Sequence, residues 1–342
     1  MTPRNFTLRS SMTDPTILTY DPQTLAPEAA ALLPRLADTD AVVRRIALLE
    51  LADLEDPDAL QPIVAALKHD ESADVRSEAA RVLGAWEQRE IVAALCEALT
   101  DAQHEVREAA ASSLSALKDA ASGEVLCAWV EHPEPFVKAA VLRGLRELRY
   151  ADAFSAAVRA LDHDDSSVRI EAVGVLGWLK DTRALVPLAR AATRDASAEI
   201  RRTAVGALGF APAGDAATAD ALLHTLADPA WQVREEAATT LGKLRAQSAR
   251  DALIAALDDA YWQVRLRAAR ALGQLGDRAA AQPLVALLSH AISNLRKEAA
   301  LALGELRDPS TLAALEHTLD DADPEVRKAV RIALQQIGQT TR

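Results

Sequence analysis

The feature that most constrains this chain is a dipeptide that keeps returning. An aliphatic residue followed by a basic one recurs as Val43-Arg44, Val75-Arg76, Val106-Arg107, Val137-Lys138, Val168-Arg169, Ile200-Arg201, Val233-Arg234, Val264-Arg265, Leu295-Arg296 and Val326-Arg327. The step is 31 to 33 residues throughout. A chain of 342 residues would otherwise suggest two or three globular domains, but a period of this size marks stacked supersecondary units.

Other positions keep register with the basic residue. Three residues after it comes alanine in eight copies and Val141 or Val330 in the other two, and seven residues after it comes a leucine in all ten. Positions -1, +3 and +7 lie on one face of a helix. Gly84, Gly177, Gly209, Gly242, Gly273 and Gly304 follow that leucine, at about 1 kcal/mol each in helix propensity, so close packing between neighbouring helices has to repay them. A second amphipathic stretch precedes each Val-Arg, as in Ala252 to Leu257 and Pro283 to Leu288. Each unit is therefore a helical hairpin. Pro62, Pro187 and Pro283 recur near one point of its first helix, where a proline is expected to kink it. One hairpin cannot bury its own apolar face, whereas a stack can. The fold expected is all-α, a right-handed α-solenoid of about ten hairpins over 25–342, preceded by a flexible tail over 1–24.

Composition agrees and narrows the function. Half the residues are apolar and only 4% aromatic, as expected of a helical protein. The net charge of -12 argues against a general nucleic-acid binder and against adsorption to anionic lipid. No apolar run reaches the roughly 18 residues of a membrane span and no signal peptide is evident. With two cysteines, Cys96 and Cys127, a cytoplasmic location is the expectation, and a polar last helix with Lys328, Arg331, Gln335 and Gln336 reads as the solvent-facing cap of a monomer.

Six residues before the basic one stands Asp38, Asp70, Asp101, Asp195, Asp228, Asp259 or Asp321, replaced by His132, His163 and His290 in three copies. An acid in each inter-helix turn and an arginine in each second helix can form a ladder of charge-assisted hydrogen bonds between layers. This Asp…Val-Arg…Ala…Leu-Gly pattern resembles the HEAT repeat, closest to the short HEAT-like variety of phycobilisome-lyase-type proteins, over about residues 26 to 338. The resemblance implies a scaffold that binds a protein or peptide partner on a concave face lined by the second helices. It also implies an alternative, a lyase-like enzyme or chaperone that attaches or positions a cofactor on a client protein.

If the second helices line the groove, positions -3, -2, +1, +2, +5 and +9 face it. In the fifth to eighth copies these slots hold Trp178, Phe210, Trp231 and Trp262, with Tyr261 adjoining, and Arg202, Lys243, Arg267 and Arg270 among them. Aromatics and arginines dominate binding hot spots, so these nine residues are the candidate partner-binding set. The tryptophans are not required by the repeat, since other copies place Ala41, Ala73, His104, Pro135, Ser166, Ala198, Ser293 and Pro324 at the position of Trp231 and Trp262. The competing reading has both tryptophans packing over adjacent turns. Cys96 and Cys127 sit in equivalent slots that elsewhere hold Leu33, Val158, Leu223, Ile254 and Val285, which reads as core. His132 and His163 have acids beside them but no tight metal-ligand spacing. The HEAT-like deoxyhypusine hydroxylases carry several His-Glu pairs for iron, and here only His104-Glu105 occurs. No phosphate loop, nucleophile elbow or zinc pattern is present. No catalytic residue, cofactor or metal is therefore assigned.

Overall fold

The computed structural model describes residues 25–339, and the segment 1–24 read as a tail lies outside them. Among the described residues every regular element is helical. They form two compact units that divide between Ala156 and Ala157.

The first unit contains four hairpins: α1 (Pro27–Leu36) with α2 (Ala41–Asp53), α3 (Leu60–His69) with α4 (Ala73–Leu83), α5 (Arg89–Ala98) with α6 (His104–Ser115), and α7 (Ser122–Cys127) with α8 (Pro135–Glu147). The division falls within α9 (Phe154–Ala160). The second unit continues with α10 (Ser166–Leu179), α11 (Leu185–Arg194), α12 (Ala198–Ala207), α13 (Ala216–Thr225), α14 (Trp231–Lys243), α15 (Arg250–Ala255), α16 (Trp262–Leu275), α17 (Ala281–Leu287), α18 (Ser293–Leu306), α19 (Leu312–His317) and α20 (Pro324–Gly338). In each unit successive second helices pack on one another, as in α4 on α6 and α14 on α16. Each unit is a run of α-solenoid.

The periodic stripe is the core. Positions -1, +3 and +7 are buried in every copy except at Val43 and Leu334, which are half-buried and belong to the first and last copies among the described residues. Burying each such leucine contributes roughly 1.5–3 kcal/mol. The prolines do not kink the first helices. Pro62, Pro187 and Pro283 are each the third residue of their α-helix, in the first turn, where the missing N–H breaks no helical bond. Four of these helices are entered through a 3-10 turn whose preceding aspartate, Asp56, Asp181, Asp277 or Asp308, accepts the N–H two residues on.

Two devices fix one layer against the next. The first is close approach: a Cβ on Gly273 would stand 2.8 Å from Ala302 Cα, and one on Gly242 would stand 2.8 Å from Ala271 Cα. The second is the arginine ladder. Arg44, Arg76, Arg169, Arg201, Arg234 and Arg296 each donate Nε and Nη2 to both oxygens of Asp70, Asp101, Asp195, Asp228, Asp259 and Asp321, the aspartates of the next turn, at 2.7–3.1 Å. Nη1 of the same guanidinium donates to the carbonyls of its own turn, as Arg201 does to Asp195 and Ala196. The aspartate closes its turn as well, for Asp228 Oδ1 accepts the Ala230 N–H.

Two predictions follow from these devices. Gly273→Ala should destabilise the protein by about 1–3 kcal/mol through overpacking, despite alanine's better helix propensity, and a higher melting temperature would show that the helices can part. Arginine bonding holds the Asp101 and Asp321 carboxyls below the usual carboxylate range. At Asp228 and Asp259 burial pushes upward, but the arginine bond, a backbone N–H and nearby guanidinium charges outweigh it and the net direction is down. Carboxyls lowered on folding stabilise fully above their unfolded value of about 3.9, and that contribution is lost as pH falls through the folded values. Melting temperature should therefore drop steeply below about pH 4. Asp228→Asn should cost stability at neutral pH and flatten that acid limb, both read by circular dichroism.

Candidate functional site

The aromatic candidates separate along the helix row. Trp231 and Trp262 begin α14 and α16, and Tyr261 is the residue that caps α16. Trp178 lies at the end of α10 and Phe210 in the 3-10 turn that follows α12. Position -3 and position +9 are twelve residues apart, about 18 Å along a helix. The two groups therefore occupy opposite ends of the second helices, although the sequence places them in one strip.

At the N-terminal end the cluster is partly prepacked. The half-buried Trp231 stacks on Tyr261, with centroids 5.5 Å apart and planes 15° from parallel. Arg234, while bound to Asp259, also lies 5.7 Å from the centroid of the Tyr261 ring, a cation–π contact. Asp259 Oδ1 accepts the Tyr261 N–H. The ladder therefore holds this aromatic pair in place. Tyr261 remains 46% exposed and Trp262 37%.

The basic candidates differ in what holds them. Arg267 donates to Glu235 at 3.1 Å, and Arg270 binds both oxygens of the buried Glu298 at 2.7 and 2.9 Å. These two arginines tie neighbouring second helices together. Lys243 lies across Gly209 of the preceding copy, and Arg202 is exposed. Burial pushes the Glu236 carboxyl up, and the charge of Arg202 pulls it down by less. The face is thus rich in aromatics, and most of its charges are matched in sign.

The histidine substitutions preserve one half of the aspartate's role. His132, His163 and His290 accept the N–H of Glu134, Asp165 and Ile292 through Nδ1 at 3.2, 3.0 and 3.0 Å. This closes the turn as aspartate does and fixes Nδ1 as an acceptor. His132 also stacks on Trp129 at 5.7 Å, while Arg107, without an aspartate in the next turn, lies over Phe136 at 5.7 Å. In the sequence His132 and His163 have acids beside them without metal-ligand spacing. Among the described residues no group of three or more His, Cys, Asp or Glu is placed to hold a metal ion.

Hairpins joined through glycine contacts and a turn-to-turn arginine ladder are the arrangement the repeat pattern led one to expect, and the family comparison agrees. Residues 29–85, 61–140, 123–209, 187–263 and 250–335 match the family described as HEAT repeats. The chain is a HEAT-repeat protein. The match is to HEAT repeats at large and does not single out the lyase-type variety. No curated protein matches the sequence. Among solved structures, YibA of E. coli aligns at 19% identity and a TM-score of 0.58 over 79% of this chain and 98% of its own. Kap95p, in a complex with RanGDP, aligns at 13% and 0.67 over 92% of this chain and 50% of its own. The karyopherin Kap121p, bound to the extreme C-terminus of the protein phosphatase Cdc14p, aligns at 15% and 0.60 over 92% and 42%. This chain thus spans half or less of the karyopherins it resembles. At these identities the likeness is one of fold.

In this HEAT protein the two cysteines and the clefts at the turns lie within the repeat framework. Cys96 is buried in α5, where desolvation pushes its thiol up to about 12. Burial raises the half-buried Cys127 as well. Two clefts of about 310 and 250 Å³ lie at the turns, and their polar walls include Asp101 in one and Asp195, Arg201 and Asp228 in the other, all of them ladder residues. No helix among the described residues is long and apolar enough to cross a membrane. The thiol environments predict that a disulfide-exchange reagent at neutral pH leaves Cys96 unmodified in the native protein. Labelling of Cys96 at the rate seen in denaturant would mean that α5 opens readily.

Proposed function

We propose that this chain is a non-catalytic scaffold or adaptor that holds a protein or peptide partner on the exposed face of its second helices. The contact region lies in the second unit around Trp231, Tyr261 and Trp262. One observation carries the reading: two large aromatics, Tyr261 and Trp262, are exposed side by side in a fold whose apolar needs are met elsewhere. Exposed apolar surface of this kind marks interaction sites. Trp231, stacked on Tyr261, holds that ring in place before binding, which lowers the entropy cost of association. Arg202 on the same face adds a polar contact that gives specificity more than affinity, while Lys243, at the far end of α14 against Gly209, belongs with Trp178 and Phe210. The karyopherins of similar fold are seen holding proteins, RanGDP in one case and the C-terminus of Cdc14p in the other, which supports the same use of the solenoid here. Trp178 and Phe210 form a separate end of the face and would contact a longer partner only.

The test is affinity capture from native extract with wild type, Trp262→Ala and Trp231→Ala/Trp262→Ala. Trp262→Ala should weaken partner retention at least about tenfold, as truncation of an aromatic hot spot does, with an unchanged melting temperature. The double variant should lose in addition about 0.5–1.5 kcal/mol of stability through the Tyr261 stack. Equal retention by folded variants would reject this surface, and a visible chromophore in the eluate would turn the reading toward cofactor handling.

A further inference from the structure

In the second unit the ladder is closed at four steps, Arg169–Asp195, Arg201–Asp228, Arg234–Asp259 and Arg296–Asp321. It is open at one. Arg265 meets a turn in which His290 replaces the aspartate, and the Nδ1 of His290 is committed to the Ile292 N–H. Other arginines that lack an aspartate ahead of them still donate to their own turn: Arg107 to the carbonyls of Asp101 and Ala102, and Arg327 to those of Asp321 and Ala322. Arg265 shows no such bond, and its Nε is buried without a partner. A buried guanidinium N–H left unbonded is costly, and here it lies one helical turn from the exposed Trp262. The side-chain oxygen of Gln263, between the two in sequence, is likewise buried without a partner.

We infer that the partner supplies the missing acid: the Arg265 guanidinium turns out of its buried position onto an Asp or Glu side chain of a bound peptide segment, while an apolar neighbour in that segment covers Trp262. This rests on the partner-binding reading above and names the partner's chemistry. The four closed steps show what fits, since in each a carboxylate takes Nε and Nη2 together at 2.7–3.1 Å, the bidentate match of a planar carboxylate to a planar guanidinium. The nearest acid on the chain, Asp259, does not serve. It is occupied by Arg234 through both oxygens and by the Tyr261 N–H, and it senses Arg265 only as a nearby charge.

The experiment uses the full chain and two capped twelve-residue peptides, one with a single Glu between Leu and Phe in a Gly/Ser background and one with Gln in place of Glu. Binding is read by anisotropy and tryptophan fluorescence for wild type, Arg265→Gln, His290→Asp and Trp262→Ala. Wild type should prefer the Glu peptide by about tenfold, the worth of one charge-assisted bond. The preference should vanish in Arg265→Gln. It should vanish also in His290→Asp, which supplies the carboxylate from the chain itself and should raise the melting temperature. Equal binding of the two peptides, no binding of either, a preference that survives in His290→Asp, or no rise in its melting temperature would overturn the inference. Trp262→Ala separates the two claims. A Glu preference that persists there at unchanged affinity would sink the aromatic surface and leave the acid-for-Arg265 exchange standing.

Discussion

A guanidinium that bonds two turns at once is the interaction on which the rest of this structure depends. In each closed step one arginine gives Nη1 to the carbonyls of its own turn and Nε with Nη2 to the aspartate of the next. That aspartate also closes its turn. Three groups that would be costly to leave unbonded are satisfied by one planar fork, and the layer spacing follows from its dimensions. Lysine cannot do this, because a single ammonium has no fork. Lys138, the one lysine in the series, is instead 3.8 Å from Glu131 in the loop beside it.

The same fork prepares the aromatic surface. Arg234, while it holds Asp259, lies over Tyr261, and Tyr261 stacks its ring on Trp231. Structural and functional readings of Trp231 are therefore compatible: it packs over the adjacent turn and, by doing so, stiffens the surface that Tyr261 and Trp262 expose. Arg267 and Arg270 follow the same logic from the other side, since their bonds to Glu235 and Glu298 brace the helices that carry the aromatics.

Most of the fold was legible in the sequence because the constraint repeats. A buried stripe at -1, +3 and +7, a glycine where helices touch and an acid six residues before an arginine each appear often enough to be read by register alone. The prolines were misread because the 3-10 turn before α3, α11 and α17, which shifts them into the first turn of the helix, leaves only a short aspartate signal. The left-handed residues that end several second helices, Arg149, Lys180, Arg245 and Arg307, were not legible at all, since propensity calls for glycine there and only Gly276 obeys. In the candidate site the helical register put Trp231 and Trp262 at position -3 of their copies. It could not separate them from Trp178 and Phe210, because a face defined by angle says nothing of distance along the axis. Nor could it show that Arg265 lacks a partner, because its dipeptide looks like all the others.

The net charge of -12 reads at first as an argument against an acidic partner, but charge summed over a chain is not the field at a site. Many of the acids are bound to arginines or close turns and 3-10 helices, and a paired carboxylate contributes little potential beyond a Debye length of about 8 Å. Arg265 stands where one such acid is missing, so its charge lacks the bidentate partner that its counterparts in the closed steps have. An acidic segment would approach against a weak long-range repulsion and be held by a strong short-range bond. That combination gives slow, salt-assisted association with slow release, and it lets the negative turns elsewhere discourage acidic chains that cannot reach the open step.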